Sequence, residues 1–155
     1  MIDSSRLLDM LDSNGLIKRG DSRLPSDLNS ASRPDKILLE HGLIDQEAMT
    51  RVIAEYLEIA VAQPSEFPDE AIEAGGASYS FLRQNRILPL AESIDELTIA
   101  MADPFDKTSL QSLKLLINKN IKVCIAEKHH LDRAFDRLYK KGLTKKADTT
   151  VNFDN

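Results

Sequence analysis

Residues 87–106, Ile-Leu-Pro-Leu-Ala-Glu-Ser-Ile-Asp-Glu-Leu-Thr-Ile-Ala-Met-Ala-Asp-Pro-Phe-Asp, constrain the fold more than any other stretch of this chain. Two short apolar runs, 87–90 and 97–101, flank a turn rich in Asp and Glu, the pattern of two strands joined by a hairpin. In the second run Leu97, Ile99 and Met101 fall on one face, because side chains alternate along a strand. Asp103-Pro104 then stops the strand, and Asp106 stands where an N-cap is needed. Leu110, Leu113, Leu116 and Ile117 follow at helical spacing. A further apolar run at 121–125 predicts another strand. Leu131, Ala134, Phe135 and Leu138, at i, i+3, i+4 and i+7, predict a closing amphipathic helix.

The rest of the chain reads as helices and connections. Arg6-Leu-Leu-Asp-Met-Leu-Asp-Ser-Asn-Gly-Leu-Ile17 and Arg33-Pro-Asp-Lys-Ile-Leu-Leu-Glu-His-Gly-Leu-Ile44 form a weak internal repeat: an arginine, a short apolar helix, then Gly-Leu-Ile. Each copy predicts a helix stopped by glycine, with the residues beyond packing back across the stop. Residues 18–32, rich in Ser, Asp, Arg and Pro, predict a mobile loop holding one short helical turn at most. A helix follows at 46–57. Residues 61–77 read as a linker carrying a short helix at 69–73 that Gly75-Gly76 breaks, and Ser78 reads as the cap of another helix through Arg83. From Gly142 the periodic apolar pattern is lost, which predicts a linker or disordered tail.

The predicted fold class is α+β. An N-terminal helical subdomain, residues 1–60, precedes a small β-β-α-β-α subdomain, residues 78–141, with a short sheet covered by helices. A chain of 155 residues that is 42% hydrophobic and 29% charged has enough apolar surface for this. The net charge of −5 argues against a nucleic-acid surface, which needs a basic stripe. No apolar stretch is long enough to span a bilayer, so direct membrane insertion is not expected and the expected compartment is the cytoplasm.

Residues that carry chemistry are few. No phosphate-cradling Gly-x-x-x-x-Gly-Lys-Ser/Thr loop occurs, and neither does a nucleophile elbow or a Cys-x-x-Cys pair. The chain by itself is expected to be non-enzymatic and to need no cofactor. His129 and His130, at the start of a helix, are expected to point in different directions and hold no metal, and His41 lies far off in sequence. Asp103 and Asp106 are read as turn and cap residues rather than a carboxylate pair. Cys124, the lone cysteine, is read as a buried thiol. Lys140, Lys141, Lys145 and Lys146 form a basic cluster at the end of the last helix, where positive charge complements the helix dipole.

The stretch from about residue 33 to 139 resembles the N-terminal domain of the ATPases of type II secretion and type IV pilus assembly, over roughly two-thirds of the chain. Arg33-Pro-Asp-Lys-Ile-Leu-Leu-Glu-His-Gly-Leu-Ile44 with its following helix is similar to the family's opening. Leu88-Pro-Leu90 and Leu97-Thr-Ile-Ala-Met-Ala-Asp-Pro104 are similar to its Leu-Pro-Leu strand and its strand ending in Asp-Pro. The helix ending near Leu138-Tyr139 completes the likeness.

This resemblance implies a docking and regulatory domain. Its partners would be the cytoplasmic domain of the inner-membrane L-type subunit and the downstream ATPase domain of the same protein, so the chain would sit peripherally at the inner membrane. The residues expected to carry docking are Leu7, Leu8 and Leu11 on an opening helix too apolar to stand alone, with Arg33 and Ile37. That helix must meet a partner or fold back on its own domain.

A branch of the same family binds cyclic di-GMP through two tandem copies of an Arg-Leu-Gly-x-x-Leu-Val-x-x-Gly opening, each ending in glutamine. The corresponding residues here are Arg6, Leu7, Arg33, Ile37 and Leu38. Leu8 and Asp35 replace the glycines, Pro34 replaces a leucine, and Asn29 and Tyr56 stand where glutamine is expected. Asp35 also brings negative charge close to where phosphates would lie. The same domain fused to a membrane glycosyltransferase is a further arrangement that the resemblance allows.

Overall fold

A computed structural model describes residues 2–140, excluding the side chain of Lys140; the predicted tail from Gly142 and the lysine cluster beyond Lys140 lie outside the described residues. The chain divides into two units, the second beginning at Ala62.

The first unit is helical: α1 (Ser4–Ser13), α2 (Pro34–Glu40) and α3 (Gln46–Leu57), with one 3₁₀ turn at Leu28–Ser30. Asp3 caps α1 by accepting from the Arg6 amide, and Asp45 caps α3 by accepting from the Ala48 amide. The two repeat copies end in the same way. At the end of α1 the Leu16 amide donates to Leu11 O at 2.9 Å and the Gly15 amide to Asp12 O at 2.9 Å. At the end of α2 the Leu43 amide donates to Leu38 O at 3.0 Å and the Gly42 amide to Leu39 O at 3.1 Å. These are Schellman stops, and they require the positive φ of Gly15 (74°) and Gly42 (68°). Their hinge leucines, Leu11 and Leu38, are fully buried.

The helix α1 folds back on its own unit. Leu7, Leu8 and Leu11 join Leu28, Leu38, Met49, Val52 and Ile53 among the buried apolar residues. The Tyr56 hydroxyl accepts from the Asp3 amide at 2.8 Å, and Ser4 Oγ donates to Ala31 O at 2.6 Å. Residues 18–32 contain the single helical turn expected of them. Within that stretch Arg19 forms an ion pair with Asp9 and donates to Asn29 Oδ1 at 2.8 Å.

The second unit is the α/β one. α4 (Tyr79–Gln84) is capped by Ser78, and β1 (Ile87–Glu92) turns into β2 (Glu96–Met101). α5 (Lys107–Leu116) then leads to β3 (Asn120–Ile125), and α6 (Lys128–Phe135) continues into a π-helical turn at Asp136–Lys140. The sheet order is β1-β2-β3, with the first pair antiparallel and the second parallel. A parallel pair cannot be joined by a tight turn, and here α5 is the crossover. The register shifts between Pro89 and Ala91, where proline has no amide to give the ladder. Asp106 caps α5 by accepting from the Ser109 amide at 3.0 Å, and Asp103 Oδ1 accepts from the Phe105 amide at 3.2 Å. Both aspartates thus serve the turn and cap roles expected of them.

The core of this unit takes Ile87 and Leu88, Leu97, Ile99 and Met101, Leu113 and Ile117, and Leu131, Ala134, Phe135 and Leu138. The apolar stripes of β2 and α6 are therefore the ones the periodicity marks. Leu116 departs from its predicted stripe, being 46% exposed at the last position of α5.

Two expectations for residues 61–77 are corrected. The stretch is no free linker: the Ala62 amide donates to Ile125 O at 2.8 Å, and Phe67 and Ala74 lie in the core. No helix forms at 69–73. The Tyr139 hydroxyl donates to Ile72 O at 2.9 Å and Arg137 donates to Pro68 O at 3.3 Å. Side chains arriving from far along the chain thus satisfy backbone carbonyls of this non-helical stretch. The fold is α+β, and among the described residues no helix is long and apolar enough to cross a membrane.

Candidate functional site

The residues singled out in the sequence cluster in the first unit, and the structure gives each arginine a partner within it. The Arg33 guanidinium forks onto Asp35, with Nε to Oδ1 at 3.0 Å and an η nitrogen to Oδ2 at 2.9 Å. Asp35 is 2% exposed and sits in the first turn of α2, where the positive end of the helix also favours it. The Arg6 guanidinium lies 4.6 Å from the centre of the Tyr56 ring and donates to Tyr56 O at 3.5 Å. That is a cation–π arrangement on the residue that replaces a glutamine. Asn29, replacing the other glutamine, accepts from Arg19.

The apolar members divide between interior and surface. Leu7, Leu8, Leu11 and Leu38 are buried, while Ile37 on α2 and Arg33 at its N-cap are half-buried. Leu7, Leu8 and Leu11 therefore fix the position of α1, and Arg33 and Ile37 keep part of their surface open to solvent. A cleft of about 230 Å³ opens beside the first glycine stop, between Gly15-Leu16-Ile17 and Leu43 of the second copy, with Lys18, Asp21 and Arg23 on its rim. Asp21 and Arg23 pair with each other there at 2.7 Å, and this bond holds the Asp21 carboxyl down at about 2.

The second unit has its own concavity, about 340 Å³, bounded by Ile72, Ala74, Tyr79, Leu82 and Tyr139. Its hydroxyls are already engaged. Tyr139 donates to Ile72 O, and Tyr79 accepts from Arg83 at 2.9 Å. Burial pushes the Tyr139 phenol up to about 12, so it stays protonated and is no general base at neutral pH. Burial likewise pushes the Cys124 thiol up, away from the reactive thiolate.

One sequence expectation fails here. His129 and His130 do not diverge: their ring centres are 4.2 Å apart, and each Nδ1 lies 3.8 Å from an oxygen of Glu127. Glu127 is not among the residues that the sequence pattern marks, although its place two residues before a His pair is the available signal.

Comparison with known proteins bears on both units. Residues 57–145, more than half of the chain, match the family described as the MshEN domain. The chain belongs to the MshEN domain family. Among solved structures, the N-terminal domain of XpsE superposes with a TM-score of 0.70 at 21% identity, covering 86% of this chain and 94% of that one. A second crystal form of that domain gives 0.62 at 20% identity, covering 90% and 98%. MshE, solved with cdg, gives 0.68 at 26% identity, covering 86% and 99%. No curated protein matches the chain. The two XpsE likenesses speak for the fold, and the MshE likeness together with the family match places the chain among domains of this kind.

Proposed function

We propose that this chain is a non-catalytic docking and regulatory domain of a secretion or pilus ATPase. It would bind the cytoplasmic domain of an inner-membrane assembly-platform protein of the L type. The observation that carries the choice is the Arg33–Asp35 fork. A phosphate ligand needs an available guanidinium and a close backbone, and here a buried carboxylate two residues away already takes the fork that a phosphate would use. Arg6 stacked on Tyr56 and Asn29 held by Arg19 extend the same pattern to the other positions of the tandem motif.

With its candidate nucleotide positions occupied from within, the unit offers a surface. In our reading Arg33 and Ile37 on α2 contact the partner, and Leu7, Leu8 and Leu11 hold α1 beside them. Removing residues 1–20 would take those leucines out of the interior and test stability rather than contact. The appropriate variant is Ile37→Glu, at a half-buried position. A pull-down or calorimetric titration with the L-type cytoplasmic domain should show binding by the wild type and at least tenfold weaker binding by the variant, with helical content unchanged. Undiminished binding by the variant would remove α2 from the interface.

The second reading is favoured by one finding, the likeness at 26% identity to MshE solved with cdg, which we take as cyclic di-GMP. On that reading Arg6, Leu7, Arg33, Ile37 and Leu38 bind the nucleotide and Asp35 gives up its fork. Titration with cyclic di-GMP separates the two: saturable heat and a raised melting temperature support the sensor, and their absence supports docking.

A further inference from the structure

We propose that Glu127, His129 and His130, at the junction of β3 and α6, form a binding site for one divalent transition-metal ion of the zinc class. Their ligand atoms, two imidazole nitrogens and a carboxylate oxygen, all lie within 4.8 Å of one another. A tetrahedral zinc ion at about 2.1 Å from each ligand holds them roughly 3.4 Å apart, so small side-chain rotations close the set. Two histidines and one carboxylate are a donor set that suits zinc, and three protein ligands leave a fourth position for water or a partner's side chain.

A second observation points the same way. Glu127 is only 9% exposed, among the few charged residues buried in this fold. It stands at the N-cap position of α6 yet makes no capping bond, and neither oxygen has a hydrogen bond among the described residues. Its neighbours are the two Nδ1 atoms at 3.8 Å, beyond hydrogen-bond reach. Its oxygens keep some contact with solvent, and a carboxylate that leaves the helix amides unused and faces two imidazoles is stabilised by a cation shared among the three. The positive end of α6 and the adjacent Lys128 oppose a free cation there. Direct coordination by two neutral imidazoles and a carboxylate is what overcomes that field, so the site selects metals that bind nitrogen rather than calcium or magnesium.

The site belongs to the second unit and is independent of the docking reading. The Ala126 amide just before it donates to Met101 O at 3.1 Å, and a bound ion would tie the N-cap residue to the first turn of α6 beside this point.

The test uses the full chain with any affinity tag removed, stripped with chelator and titrated with zinc sulfate by calorimetry. In parallel, two-dimensional NMR follows the imidazole signals of the three histidines. One ion per chain should bind, with the signals of His129 and His130 shifting and those of His41 unmoved. His130→Ala and Glu127→Gln should each weaken binding at least tenfold, and His41→Ala should not change it. Zinc should raise the unfolding temperature of the wild type, and magnesium should not. Absence of saturable binding at one equivalent would overturn the proposal. So would binding that moves His41 instead, or binding that survives both substitutions. The wild-type NMR result stands even if Glu127→Gln proves unstable.

Discussion

Replacing Arg33 by leucine removes one half of a buried fork and leaves Asp35 in place. The Asp35 side chain is 3% exposed and the Arg33 side chain 27%, with fork distances of 3.0 and 2.9 Å. Breaking a fully dry ion pair from one side costs about 3–5 kcal/mol, because the surviving charge is stranded. Water reaches part of this guanidinium, and the first turn of α2 continues to favour the carboxylate, so about 2–3 kcal/mol is the expected loss. For a chain of 155 residues each kcal/mol moves the midpoint by about 2–4 °C, which puts Arg33→Leu roughly 4–12 °C below wild type. The companion experiment removes both partners, as Arg33→Met with Asp35→Leu. Replacing a buried pair by apolar groups is often neutral, so the double variant should recover most of the loss. Thermal unfolding followed by circular dichroism at 222 nm reads both. A single variant within 2 °C of wild type, or a double variant no better than the single, would refute the idea that this fork is a buried, closed pair.

Glu58 ends α3 in the left-handed region at φ 56°, so Glu58→Gly should stabilise the first unit by about 0.5–1 kcal/mol, read as a raised melting temperature. Arg86 is also left-handed at φ 49°, but its guanidinium pairs with Asp132 at 3.0 Å, so Arg86→Gly should give no such gain. Tyr139 should ionise near 12 in an ultraviolet titration, above the usual tyrosine value. The folded state keeps that proton after an ordinary tyrosine, near 10, has lost it, so the Tyr139 contribution is intact below pH 10 and declines as pH rises towards 12. Cys124 should react with a thiol reagent many-fold more slowly in the native chain than in denaturant, and comparable rates would place it at the surface.

What could be read in advance follows the range of the interactions involved. The β1–β2 hairpin, the Asp106 and Ser78 caps and the two glycine stops are settled within a few residues, by alternation, by a side-chain oxygen meeting an amide and by positive φ. All of them stand in the structure. Around 69–73, where no helix forms, the carbonyls of Ile72 and Pro68 instead accept from Tyr139 and Arg137, residues 67 and 69 positions away. No local pattern carries that information. Arg33 and Asp35 were both noted in the sequence, but their fork required Asp35 to be buried, a tertiary fact. The His129–His130 pair was misjudged because adjacent residues of a regular helix point about 100° apart. At the first turn of α6 the two rings instead come together beside Glu127. The fold was thus more legible than the site, since the site depends on which polar groups are buried against each other.

The most direct test of the docking account is a calorimetric titration of the intact chain with the purified cytoplasmic domain of the L-type platform protein, repeated with excess cyclic di-GMP in the cell. The account predicts saturable one-to-one binding with the same affinity in both runs. No binding in the absence of nucleotide, or binding that appears only when cyclic di-GMP is present, would contradict it.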